Sequence, residues 1–305
     1  MSNQEQVIER LIDWAEHEPR VRAMVLTSSR ATPGAPVDLL SDYDVILALT
    51  EVRPFFESRE WLEAFGRVLV LYRDPLSDEG GFETSCYVTQ YESGLKIDFC
   101  LWPVGLLQQV AATPELPVEL DAGYRVLLDK DRLTASLQPP TYRGYIPVPP
   151  TEGEYLTRVE LLFHEATYVA KYLWRDDLIA AKHILDGTLK QENLIPILVW
   201  LAEIDCGWTC KPGPHGRRLR SWLRPELWTE LESTYAGASL EENWEAMFRA
   251  IALFRRAAVE VGERLGYAYP HDLDRRTVAH LQKVRRLGPG ATSLESFQAK
   301  ERTDV

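Results

Sequence analysis

Asp42 and Asp44 stand two positions apart in Ser41-Asp42-Tyr43-Asp44-Val45-Ile46-Leu47. In an extended chain residues i and i+2 project to the same face, so the two carboxylates lie side by side. Neighbouring carboxylates repel unless a cation sits between them, and an oxygen-only ligand set on a strand suits Mg2+. A third acid, Asp98, interrupts the β-type run Gly94-Leu95-Lys96-Ile97-Asp98-Phe99-Cys100-Leu101. Burying a carboxylate there is costly unless it is paired or bound to metal. Upstream, the apolar run Met24-Val25-Leu26 gives way to Thr27-Ser28-Ser29-Arg30. Hydroxyls and open backbone N–H groups at such a strand-to-loop junction can hold a triphosphate, and Arg30 could grip it bidentately.

These residues need a sheet to carry them. Val21 to Thr27 and Asp44 to Leu49 read as strands, separated by a loop punctuated by Pro33-Gly34 and Pro36. Pro54 opens a helix carrying Phe55, Phe56, Trp61, Leu62 and Phe65, and Arg67 to Tyr72 follows as a strand. Asp74 to Gly81 reads as a polar loop. Glu83 to Gln90 and Leu95 to Leu101 read as a hairpin turning near Gly94, and Tyr124 to Leu128 as a last strand. The pattern predicts an α/β N-terminal domain over residues 1–138, with a mixed sheet of about five or six strands. Pro139, Pro140, Pro147, Pro149 and Pro150 make residues 139–151 a linker. Residues 152–287 read as an all-helical domain, with helices over 154–175, 178–186, 194–204, 225–235 and 240–265. The polar, glycine-bearing tail 288–305 reads as disordered.

Composition bounds the function. The 305 residues carry a formal charge of −12, with 45% hydrophobic and 26% charged residues. That is a soluble globular composition. Nucleic acid requires a basic face, so it is disfavoured as a partner. No apolar run approaches the roughly 18 residues of a membrane span, and no basic-plus-apolar leader precedes the first helix, which predicts a cytoplasmic protein. Cys86, Cys100, Cys206 and Cys210 are too scattered to be a disulfide framework. Cys206-Gly-Trp-Thr-Cys210, with His215 nearby, lacks the second pair of a zinc site, so all four cysteines read as free thiols. Glu160, His164, Thr167, Lys171 and Arg175 form one polar stripe on the helix 154–175, whose other faces are apolar.

The ordered set resembles the nucleotidyltransferase superfamily, and more closely the aminoglycoside 6-adenylyltransferases of its streptomycin-modifying branch. The family's loop reads Gly-Ser-Arg and its pair Asp-Tyr-Asp; here they read Ser28-Ser29-Arg30 and Asp42-Tyr43-Asp44. The likeness continues through Phe65-Gly66, Lys96-Ile97-Asp98-Phe99, Tyr168-Val169-Ala170-Lys171, Ala181-Lys182-His183-Ile184-Leu185-Asp186 and Leu265-Gly266-Tyr267-Ala268-Tyr269-Pro270. It implies that residues 1–138 are a nucleotidyltransferase catalytic domain that moves AMP from ATP to a hydroxyl of a streptomycin-like aminoglycoside. It further implies that Asp42 and Asp44 bind Mg2+, two ions in all, and that Asp98 is a third ligand or the general base. Ser28, Ser29, Arg30, Lys171 and Lys182 fall where the triphosphate is held. Asp186, with Asp98, falls where a guanidinium-bearing acceptor meets carboxylates. The expected partners are ATP and the antibiotic, on a monomer or weak homodimer. Two rival readings are another acceptor, such as a different aminoglycoside or a lincosamide, and a catalytically silent small-molecule binder on the same fold. The departure is Ser28, where the family has glycine. Serine prefers negative φ, so the expectation is that this position does not need a left-handed backbone.

Overall fold

The computed structural model describes residues 3–211, 213–288 and 290–293. The chain divides into two units, Met1–Tyr145 and Ile146–Val305. In the first, apolar alternation builds helix α1 (Asn3–His17), strands β1 (Val21–Thr27) and β2 (Tyr43–Leu49), helix α2 (Arg53–Glu57) and strands β3 (Val68–Arg73), β4 (Ser77–Glu79), β5 (Phe82–Tyr91) and β6 (Lys96–Pro103). Helices α3 (Val104–Ala112) and α4 (Val118–Asp121) and strand β7 (Tyr124–Asp129) complete it. The sheet is mixed, in the order β3-β5-β6-β2-β1-β7, with β4 paired to β5. β2 and β6 are parallel; β1 is antiparallel to β2. The predicted hairpin is present, with Gly94 at φ +85° and its N–H bonded to the Tyr91 carbonyl.

Two predicted details differ. The loop over 74–81 contains the short strand β4. The helix expected to run from Pro54 through Phe65 breaks at Ser58, which is extended, and resumes as a 3-10 turn over Glu60–Phe65. The break lets both Phe55 and Phe65 reach the same core.

Central strands β1 and β2 are buried on both faces, which is why they read as nearly continuous apolar runs. One face packs Met24, Leu26, Val45, Leu47, Ile97, Phe99 and Leu101 against Leu11 and Ala15 of α1 and the aromatic rings of Phe55 and Phe65. The other packs Ala23, Val25, Ile46, Ala48 and Trp102 against Leu106, Leu107 and Val110 of α3. By two-residue alternation Asp44 shares a face with Ile46, and Asp98 with Cys100 and Trp102.

The second unit contains α5 (Glu152–Trp174), α6 (Leu178–Lys182), α7 (Ile195–Asp205), α8 (Leu219–Trp222), α9 (Pro225–Ser233), α10 (Leu240–Leu265) and α11 (His271–Arg286). Thr151 opens α5 with a capping box: its hydroxyl accepts from the Glu154 N–H while the Glu154 carboxylate accepts from the Thr151 N–H at 2.7 Å. Residues His183–Leu194 join α6 to α7 as wide π-helical turns, where one helix was expected to end at residue 186 and the next to begin at 194. Of the predicted tail, residue 289 and residues 294–305 lie outside the described residues.

Gly262 on α10 shows how tightly these helices pack. A Cβ there would sit 2.8 Å from the Tyr155 hydroxyl and 2.8 Å from the Tyr267 carbonyl. The tyrosine is fixed by its own 2.9 Å bond to the Ala258 carbonyl. Alanine gains about 1 kcal/mol of helix propensity over glycine, but overpacking against backbone costs about 1–3 kcal/mol. Gly262→Ala should therefore lower stability by about 1 kcal/mol, read as a reduced urea midpoint; a raised midpoint would contradict the packing argument.

Candidate active site

Strand register brings the predicted acids together. Thr27 on β1 pairs with Asp44 on β2, and Asp44 pairs with Asp98 on β6. Asp42 precedes β2, on the same side of the chain as Asp44. The residue that links them was not singled out from the sequence. Lys96 points its ammonium at Asp42 Oδ2, 2.5 Å away, and at Asp98 Oδ2, 3.1 Å away. The signal was present: Lys96 lies two residues before Asp98 on β6 and so shares its face.

Among the described residues the charge balance is incomplete, with three carboxylates against the one ammonium of Lys96. Burial pushes the Asp44 carboxyl up to about 6, helped by the charges of Asp98 and Asp42; the Ser28 hydroxyl bond and Lys96 oppose this. Burial also raises Asp98, and Asp42 adds to it, against the pull of the Lys96 ion pair and of the Thr89 N–H. Desolvation pulls the Lys96 ammonium down, yet its bonds to Asp42 and Asp98 outweigh that and hold it above its ordinary value. Asp98 Oδ1 is buried without a hydrogen-bond partner. An orphaned, buried carboxylate oxygen beside two more carboxylates is a donor set suited to a hard cation. Lys96 fills part of that role here.

The turn after β1 holds the surprise. Ser28 has φ +58°, in the left-handed region, which overturns the expectation that this position does not need it. Serine is held there because its carbonyl accepts from the Ala31 N–H and, at 2.9 Å, from the Thr32 hydroxyl. Ser29 follows in the same 3-10 turn. Arg30 does not extend towards open solvent. Its Nε donates to the Asp42 carbonyl at 2.9 Å and its Nη2 to the Ser41 carbonyl at 2.7 Å, and the guanidinium lies 3.9 Å over the Tyr43 ring. In this arrangement it positions the Asp42–Asp44 segment.

Lys171, Lys182 and Asp186 belong to the second unit. The Lys171 ammonium lies 3.9 Å over the Tyr168 ring and 4.7 Å over that of Tyr172. Lys182 bonds Asp186 Oδ2 at 2.6 Å and the Ala236 carbonyl at 2.7 Å. The other Asp186 oxygen accepts from Lys190 at 2.7 Å, a fully buried lysine that also lies over the Tyr235 ring. Burial raises the Asp186 carboxyl, but the two lysine bonds outweigh it and hold it low. Asp186, the candidate for meeting a guanidinium-bearing acceptor, thus has an ammonium on each of its oxygens. The four cysteines are not all free, because Cys206 and Cys210 form a disulfide.

The raised Asp44 carboxyl makes a testable link to stability. Its folded value near 6 lies above the ordinary 3.8, so folding favours the protonated form. That contribution is complete below about pH 4 and is lost as pH rises through about 6. Two pKa units correspond to about 3 kcal/mol. In EDTA, Asp44→Asn should therefore melt above wild type at pH 7, with the advantage shrinking towards pH 4. Equal melting differences at both pH values would contradict the burial of this charge.

Residues 1–284 match the family model described as streptomycin adenylyltransferase. An aminoglycoside 6-adenylyltransferase of Bacillus subtilis (strain 168) is 29% identical over 274 residues, covering 88% of this chain and 94% of that protein. One from Campylobacter jejuni is 27% identical over 275 residues, covering 88% and 92%. A crystal structure of an aminoglycoside 6-adenyltransferase from Bacillus subtilis aligns with 25% identity over 94% of this chain and 100% of that one, at a TM-score of 0.47. With a family model matching nearly its whole length, this chain belongs to the streptomycin adenylyltransferase family of nucleotidyltransferases.

Proposed function

We propose that this enzyme transfers AMP from ATP to a hydroxyl of a streptomycin-like aminoglycoside, releases pyrophosphate and depends on Mg2+. The observation that carries the reading is the convergence of Asp42, Asp44 and Asp98 on neighbouring strands beside the Ser28–Ser29 turn. Asp42, Asp44 and Asp98 would hold the metal, taken here as two ions. When bound, Mg2+ supplies charge neutralisation at the phosphates and stabilises the leaving pyrophosphate.

The chain's own residues supply the rest. The strained turn at Ser28 and Ser29 offers backbone N–H groups and hydroxyls to phosphate oxygens. Lys171 in the second unit is a further candidate for the triphosphate. Asp98 accepts the proton of the acceptor hydroxyl, and its unpartnered Oδ1 is the atom we assign to that task. The raised affinity of Asp98 for protons improves it as a base. The hydroxyl oxygen bonds the α-phosphorus as the α–β bridging bond breaks, and both electrons of that bond leave with pyrophosphate. ATP as co-substrate places the reaction in the cytoplasm, and the −12 charge favours a cationic acceptor over nucleic acid. We take the active species to be a monomer or weak homodimer.

Incubation with ATP, Mg2+ and a panel of aminoglycosides and lincosamides, followed by mass spectrometry, tests the proposal. Streptomycin should gain one adenylyl unit. A gain on a different member would reassign the acceptor, and no gain on any would favour a silent binder. Asp42→Asn and Asp44→Asn should each lower kcat/KM by well over tenfold, a loss above about 1.4 kcal/mol, while remaining folded by circular dichroism.

A further inference from the structure

Glu203 is fully buried near the C-terminus of α7, and its Oε1 has no hydrogen-bond partner. A buried carboxylate in an apolar helical core is costly unless a cation or a full set of donors compensates it. Cys206 follows one turn later, with its Sγ 3.7 Å from Glu203 Oε2. Cys210, only 3% exposed, is brought back to the same point by a tight loop. The loop is built to do this. Gly207 and Trp208 both have left-handed φ, +66° and +58°, which a tryptophan adopts only under constraint. The Trp208 N–H holds the Glu203 carbonyl at 2.7 Å, and the Thr209 hydroxyl holds the Cys206 carbonyl at 2.7 Å. The result is one carboxylate oxygen and two sulfurs all within 4.8 Å of one another.

We propose that, once the Cys206–Cys210 disulfide is reduced, Glu203, Cys206 and Cys210 bind one thiophilic divalent cation of the zinc type. Tetrahedral zinc holds thiolates and carboxylates at about 2.0–2.3 Å, which sets neighbouring ligand atoms about 3–4 Å apart, inside the span of these three. The site is independent of the carboxylates on β2 and β6 and does not rest on the adenylyl-transfer reading. Reduction by a phosphine consumes one water and gives two thiols and the phosphine oxide. Binding of the cation then displaces both thiol protons. Two thiolates and one carboxylate face a doubly charged ion, and a water molecule completes the fourth position. The ion would tie the C-terminus of α7 to the loop that follows.

Cobalt titration tests this in the full chain, using Cys86→Ser/Cys100→Ser as background to remove the other thiols and excess Mg2+ to fill oxygen sites. After anaerobic phosphine reduction, one equivalent of Co2+ should produce a thiolate-to-cobalt charge-transfer band and intense tetrahedral d–d absorption, both displaced by Zn2+. Cys206→Ser should abolish the charge-transfer band, and Glu203→Gln should weaken cobalt affinity tenfold or more. A measurement without substitutions is decisive in parallel: in reduced wild type, Zn2+ should protect two thiols from a disulfide reagent. No charge-transfer band in the reduced protein, no zinc protection, or a full band surviving in Cys206→Ser would each overturn the proposal.

Discussion

Mutual repulsion among Asp42, Asp44 and Asp98 is the constraint around which the first unit is arranged. Three carboxylates on neighbouring chains cannot all stay charged and partly buried without cations, and the protein supplies one, Lys96. The rest of the compensation is left open. That is the signature of a site held ready at some cost in stability, and the raised Asp44 and Asp98 carboxyls express the same cost. The sheet can bear it because both of its faces are packed with aliphatic and aromatic side chains, which fix the strand register on which the cluster depends.

The turn between β1 and β2 bears the second part of the strain. Ser28 holds a left-handed backbone that glycine would adopt more readily, and its hydroxyl opposes the upward push on the Asp44 carboxyl. Arg30 closes the arrangement by bonding two carbonyls of the incoming segment and stacking on Tyr43.

Much of this was legible in the sequence because it rests on short-range rules. Two-residue alternation placed Asp42 beside Asp44, and apolar runs located β1, β2 and the β5–β6 hairpin. What escaped depends on tertiary partners. The φ of Ser28 goes with the bonds its carbonyl accepts from Ala31 and Thr32, against serine's own preference. Lys190, placed four residues on from Asp186 by a helical stretch that spans the gap between two predicted helices, is buried against it. Lys96 could have been found by applying to β6 the same-face rule already applied to the aspartates. The Cys206–Cys210 closure depends on two consecutive left-handed residues that no local pattern predicts.

Divalent-cation binding to the EDTA-stripped protein is the most direct test that the carboxylate cluster exists to hold a cation. Calorimetric titration with Mn2+ near pH 6, in two buffers of different ionisation enthalpy, measures both binding and proton release. Binding should be saturable, release protons near pH 6, release fewer at pH 8, and lose that release in Asp44→Asn. Absence of saturable binding, or binding unchanged by Asp42→Asn, Asp44→Asn and Asp98→Asn alike, would contradict a cation-holding role for the cluster.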